Sequence, residues 1–233
     1  MRVLLTRPQE DAGLFAGRLR ELGHEAISAP LLHVRFHDGE SLALDGVQAV
    51  LATSANGVRA LVRRTARRDL PIFAVGPQTA RAARKAGFDQ VEHADGDVAA
   101  LAQALPRWAR AEAGALLHAC GVEGAGRLAS LLAVNGYEVR TAILYDVVAS
   151  TVLPQDVVGA LKNGLLDAAL FFSPRSAGVF RDCILAAGLS GACARLIAVC
   201  ISQAAAGALT PLSFREMRVA ARPNQDALLT CLA

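Results

Sequence analysis

The chain has 233 residues, 53% of them hydrophobic, with 24 basic side chains against 21 acidic ones and a net charge of +3. That length supports one large domain or two small ones, and the near balance of charge argues against a dedicated nucleic-acid surface. Apolar runs of only four to six residues fall far short of the ~20 needed for a membrane span, so no membrane association is expected. The start, MRVLLTRPQED, enters a strand without a signal-peptide core. Cys120, Cys183, Cys193, Cys200 and Cys231 form no CxxC motif. A cytoplasmic protein with reduced thiols is expected.

Val3 to Leu5 predicts a first strand, ended by Thr6-Arg7-Pro8. A helix follows with Leu14, Phe15, Leu19 and Leu22 on one face, stopped by Gly23. Glu25 to Ala29 reads as a second strand, which Leu31 to Phe36 either continues or carries to another unit. Val47 to Ala52 is a strand, followed by Thr53-Ser54-Ala55-Asn56-Gly57 and a helix through Leu61. The basic run Arg63 to Arg68 reads as a solvated helix end or as an attractant for an anionic ligand. Ile72 to Val75 is a short buried strand, broken by Gly76-Pro77 before a helix that Gln78 or Thr79 would cap. Glu92 to Gly96 reads as a loop, and Asp97 as a helix cap. Ala115 to Ala119 is a strand with Cys120-Gly121 as its turn, and a helix spans Arg127 to Val134. Glu138 to Val148 is extended and contains Tyr145-Asp146. The remaining strands are Ala168 to Phe172, Leu196 to Val199 and Val219 to Ala221, with Asn224 or Gln225 opening the last helix. Strands alternate with helices throughout, which predicts an α/β protein built on parallel sheets.

The two halves match weakly but in order. LRELGHEA pairs with LLAVNGYEV, LATSANG with LFFSPRS, FAVGPQTA with IAVCISQA, and GDVAAL with PNQDALL. The offset grows from 113 to 127 residues, as small loop insertions would make it. A duplicated α/β unit accounts for the kept order.

Arg7, Thr53, Ser54, Asn56, Gly76, Gln78, Thr79, Cys120, Gly121, Ser173, Arg175, Ser176 and Ser202 fall at or just after strand ends. Ligands of open α/β sheets bind at that edge. Each hydroxyl or amide there is also a good helix cap. The set on both halves fits a multiply anionic ligand held largely by neutral donors, each worth about 1.5–3 kcal/mol against a charged group. Gly124 to Ala129 fits GxGxxA, but its first glycine lies too far past the strand for a dinucleotide fingerprint. His33 and His37 lack the further ligands of a metal site. His93 and His118 have no evident partners in the sequence. Tyr145, one of two tyrosines, reads either as a packing residue or as a phenol that donates a proton in a cleft between the two units.

VLLTRP, LATSANG, FAVGPQTARAARKAGF, LLHACG, ILYDVV, LFFSPRS and RPNQDALL together resemble the uroporphyrinogen-III synthase family over nearly the whole chain. The resemblance implies two α/β lobes, one made of residues 1–34 and 150–233, the other inserted as 38–147, joined by a two-stranded linker. It implies a cyclising hydro-lyase acting on hydroxymethylbilane, a linear tetrapyrrole with eight carboxylates. The last pyrrole ring is inverted, water is released, and no cofactor or metal is needed. It implies Tyr145 as the catalytic residue and the strand-end set as substrate contacts. A monomer that receives its substrate from the preceding pathway enzyme is expected. The other reading is a non-catalytic, two-lobed binding or regulatory protein for an anionic metabolite. One departure stands out: where the family's second strand-turn-helix resembles GPTTA, this chain has Cys200-Ile201-Ser202-Gln203-Ala204. The turn at Gly76 to Thr79 is therefore expected to carry more of the substrate affinity than the one at Ser202.

Overall fold

Short runs rich in leucine, valine and alanine form strands buried on both faces, as parallel sheets require. The computed structural model describes residues 1–232, with side chains throughout apart from 9–11. In chain order the elements are β1 (Arg2–Leu5), α1 (Gln9–Glu21), β2 (Glu25–Ser28), β3 (Leu32–Phe36), β4 (Val47–Ala52), α2 (Ala55–Arg64) and β5 (Ile72–Ala74). There follow α3 (Pro77–Lys85), β6 (Val91–His93), α4 (Val98–Ala104), β7 (Ala115–Gly121), α5 (Arg127–Ala133) and β8 (Val139–Ala149). The chain ends with α6 (Gln155–Lys162), β9 (Ala168–Phe171), α7 (Pro174–Ala186), α8 (Ser190–Cys193), β10 (Ile197–Cys200), α9 (Gln203–Gly207), β11 (Glu216–Val219) and α10 (Gln225–Thr230).

Contacts divide the chain into two units, residues 1–33 with 148–233, and residues 34–147. The first holds a sheet of order β11-β10-β9-β1-β2, parallel throughout. The strand Arg2–Leu5 thus lies inside this sheet, Val3 registering with Ala168. Val3 and Leu5 pack with Ala12, Phe15 and Leu19 on one face, and Leu4 with Phe171 and Phe180 on the other. The second unit holds a sheet of order β3-β8-β7-β4-β5-β6, with β8 to β6 parallel. Val50 and Ala52 face the side packed by α2 and α3, whereas Ala49 and Leu51 face Leu101, Leu128 and Leu132. Both sheets are flanked by helices, so the α/β class with two mostly parallel sheets is as the sequence predicts.

Several local expectations are corrected. Leu14 is 80% exposed and Leu22 is exposed too, the buried face of α1 being Ala12, Phe15 and Leu19. Of the two readings of Leu31 to Phe36, passage to another unit holds: β3 joins the other sheet. Val91–His93 is a strand rather than loop, paired with β5. Cys120 and Gly121 belong to β7 rather than to a turn. The last strand precedes its expected place, ending at Val219. The basic run lies at the end of α2 with Arg63 and Arg67 exposed, as a solvated helix end would be, and its guanidinium groups also make local contacts. Arg63 lies 4.3 Å from the Phe36 ring centroid, Arg64 donates to the Glu40 and His37 carbonyls, Arg67 pairs with Asp69, and Arg68 donates to the Thr65 and Ala86 carbonyls. Asp97 caps α4 as expected, accepting from Ala99 and Ala100 N–H.

Candidate functional site

In the unit of residues 34–147, parallel strands bring the segments after β4, β5 and β7 to one edge. Ser54 is the N-cap of α2, its Oγ accepting the Gly57 N–H at 3.0 Å. Glycine is required at 57, because a Cβ there would lie 2.4 Å from the Ala119 carbonyl oxygen of β7. The same Ser54 Oγ lies 2.8 Å from the Tyr145 hydroxyl.

Tyr145 reaches that position through an irregularity in β8. Cys120 registers with Ile143 but Gly121 with Tyr145, so one residue, Leu144, is extra. Such a bulge re-aims the side chains around it. Leu144 and Tyr145, though consecutive, both pack on the cluster of Val58, Leu61 and Ala119. Gly121 gives the ring its space: a Cβ there would sit 2.7 Å from the aromatic ring. Burial raises the phenol pKa above its ordinary value, while hydrogen bonding from Ser54 and the Gly121 backbone acts the other way. The phenol is therefore protonated at neutral pH.

Beside the ring lies a cavity of about 250 Å³, lined by Gly121, Glu123, Gly124, Tyr145 and Asp146 among others. Asp146 is held by Arg35, whose Nε donates to Oδ1 at 3.1 Å, and this pairing keeps its pKa below the usual carboxylate range. Behind the strand ends, Thr53 Oγ1 lies 3.2 Å from Nε2 of the fully buried His118. Cys120 is buried, and that burial pushes its thiol up to about 11, which keeps it in the neutral form at neutral pH.

The turn after β5 is capped differently from the expectation. Gly76, not Gln78 or Thr79, is the N-cap of α3; it offers no side-chain acceptor, and Pro77 opens the helix. Gln78 is exposed, while Thr79 is only 5% exposed and turns toward the core. Asn56, in the first turn of α2, accepts from Arg59.

In the other unit, Ser173 caps α7 and accepts the Ser176 N–H at 3.1 Å. Ser176 is buried and its hydroxyl donates back to the Ser173 carbonyl. Ser202 caps α9, accepting from Ala205 N–H at 3.3 Å. The Arg7 guanidinium lies 4.6 Å from the Phe172 ring centroid, and Arg175 is exposed. Within each unit the structure therefore gathers the expected residues at strand ends, with Thr79, Ser176 and Cys120 turned inward. Glu123 and Arg35 were not singled out from sequence, and His118 and Asp146 were noted there without a role. Their only signal is adjacency, Asp146 to Tyr145 and Glu123 to the end of β7.

Fold and site define a two-unit parallel α/β protein with its polar groups at the carboxyl edges of the strands. The sequence pattern described as Uroporphyrinogen-III synthase HemD matches residues 14–230. No curated protein matches the chain by sequence. The fold is similar to that of a uroporphyrinogen-III synthetase from Helicobacter pylori, at 17% identity, TM-score 0.66, covering 100% of this chain and 98% of that one. It is also similar to a mutant uroporphyrinogen III synthase from Thermus thermophilus, at 19% identity, TM-score 0.50, covering 100% and 97%. The chain belongs to the uroporphyrinogen-III synthase family, cyclising lyases of porphyrin and haem biosynthesis.

Proposed function

We propose that Tyr145 supplies the proton with which hydroxymethylbilane loses water, and that the strand-end residues hold the substrate while its last ring inverts. The supporting observation is a protonated phenol held at 2.8 Å by Ser54 beside a cavity. As the carbon–oxygen bond breaks, the departing oxygen takes the phenol proton and leaves as water. The proton released when the macrocycle closes and its ring becomes aromatic again restores the phenol, so the step balances. Spontaneous closure gives the other isomer, so most of the enzyme's task is conformational.

The substrate carboxylates are assigned to Arg7, Thr53, Asn56, Gly76, Gln78, Ser173, Arg175 and Ser202, with backbone N–H groups in the first helical turns as donors. Gly76 adds a particular argument: with no side-chain acceptor at the cap, the first-turn amides of α3 face no competing oxygen from it. The reading carries with it residues 1–34 with 150–233 as one lobe and 38–147 as the other, joined by the paired strands that contain the crossings. It also carries a cytoplasmic monomer that takes its substrate from the enzyme producing it. Among the described residues no helix is long and apolar enough to cross a membrane.

The test is to supply fresh hydroxymethylbilane and resolve the type I and type III products by chromatography. Type III product is expected from the unmodified chain. Tyr145→Phe should lower turnover by ~10²–10⁴-fold, the usual worth of a positioned acid, with a smaller change in KM. Type I product alone, at the spontaneous rate, would replace catalysis with simple binding.

A further inference from the structure

The Ser54 hydroxyl has one proton to give and two lone pairs to offer. One lone pair is committed, since the oxygen accepts the Gly57 N–H at 3.0 Å. Two arrangements remain for the 2.8 Å contact with Tyr145. If the phenol donated to Ser54, its proton would be locked against the helix cap, away from the cavity. If Ser54 donates, the phenol oxygen accepts and the phenol proton is free to rotate toward the cavity. The second arrangement is favoured locally. An N–H donated to a hydroxyl oxygen polarises that hydroxyl and strengthens it as a donor. The cap also sits at the positive end of α2, which suits a proton pointing outward to an electron-rich oxygen.

The ring itself has little freedom. The bulge at Leu144 sets its direction, and the β7 backbone closes on it so tightly that any side chain at Gly121 would overlap the ring. Only the orientation of the O–H remains to be chosen.

We propose that Ser54 is a positioning residue for Tyr145 rather than a substrate contact: it donates its proton to the phenol oxygen and so turns the phenol proton into the cavity beside Gly121 and Gly124. This rests on the reading of Tyr145 as the proton donor. A donor to the phenol oxygen also favours its ionised form, which agrees with the direction of the Ser54 contribution to the tyrosine pKa.

The test uses the whole protein carrying ring-labelled tyrosine, with the Tyr145 carbon signal assigned by its loss in Tyr145→Phe. Ser54→Gly removes the hydroxyl while keeping a residue that tolerates the cap position. The expected result is a rise in the Tyr145 pKa, turnover reduced about tenfold, as loss of one good hydrogen bond gives, and KM little changed. The alkaline fall in activity should move to higher pH. Ser54→Thr should restore both values, and Ser54→Gly should cost nothing further in a Tyr145→Phe background. A raised KM with an unmoved tyrosine titration would overturn the proposal and make Ser54 a substrate contact. Full turnover by Tyr145→Phe would instead remove the acid role while leaving the titration shift in place, so the two ideas fail separately.

Discussion

His118 shows what burial does to one titratable group. Its imidazole is fully buried in β7, Nε2 faces Thr53, and Nδ1 meets no hydrogen-bond partner among the described residues. Desolvation drives its pKa from 6.5 down to about 4. The unfolded chain therefore binds this proton more tightly than the folded one. Stability from the neutral imidazole is complete above pH ~6.5 and is lost as the pH falls toward 4, by on the order of 3 kcal/mol. Melting temperatures between those limits should fall less steeply in His118→Leu than in the unmodified chain. Equal slopes would assign the acid sensitivity to other groups. Sequence gave this histidine no partner, because Thr53 lies on a neighbouring strand and only the β4–β7 register brings them together. Tyr145 was visible as a rare residue in an extended segment. Its contact with Ser54 was not, because that contact depends on a bulge counted across two strands.

At the scale of elements, helices after strands share one device. Ser54, Ser173, Ser202 and Asn224 each stand in extended backbone and accept the N–H three residues on. Gly76 has the same extended backbone without the acceptor. This changes the meaning of the departure at Cys200 to Gln203. Ser202, not Cys200, occupies the place of Gly76, and Cys200 is a buried strand residue. The backbone there is extended in both turns, so glycine is not required at either. Gly76→Ser has open space for its side chain and should cap α3. Stability should rise by a few tenths of a kcal/mol, while affinity for the substrate falls as the new hydroxyl claims a first-turn amide. Unchanged affinity would remove this turn from the substrate contacts. Strand ends and caps were legible because serine, glycine and proline mark them by their own chemistry. β6 was not, since three residues with a central Glu92 carry no hydrophobic pattern. Leu14 and Leu22 misled because leucine on an exposed helix face is common.

For the whole molecule, the sequence repeat described two similar halves but held no sign of which strands pair across them. The division at 33/34 and 147/148 leads to a further expectation. A fragment of residues 1–147 lacks β9, one of the two neighbours of β1. Limited proteolysis should trim it back to about residue 34 and leave the rest intact. Protection of the first 33 residues would contradict the division. The interior position of β1 also bears on synthesis. Val3 and its partner Ala168 leave the ribosome roughly ten to thirty seconds apart at ~5–20 residues per second. Through that interval β1 can pair only with β2 and its other edge stays open, while residues 34–147 emerge as one continuous stretch and can fold first. An open strand edge is a template for pairing with another chain, so the nascent β1–β2 pair is the segment most exposed to that hazard until β9 arrives. β1 thus meets one neighbour, β2, early and the other, β9, only after the whole of residues 34–147 has been made.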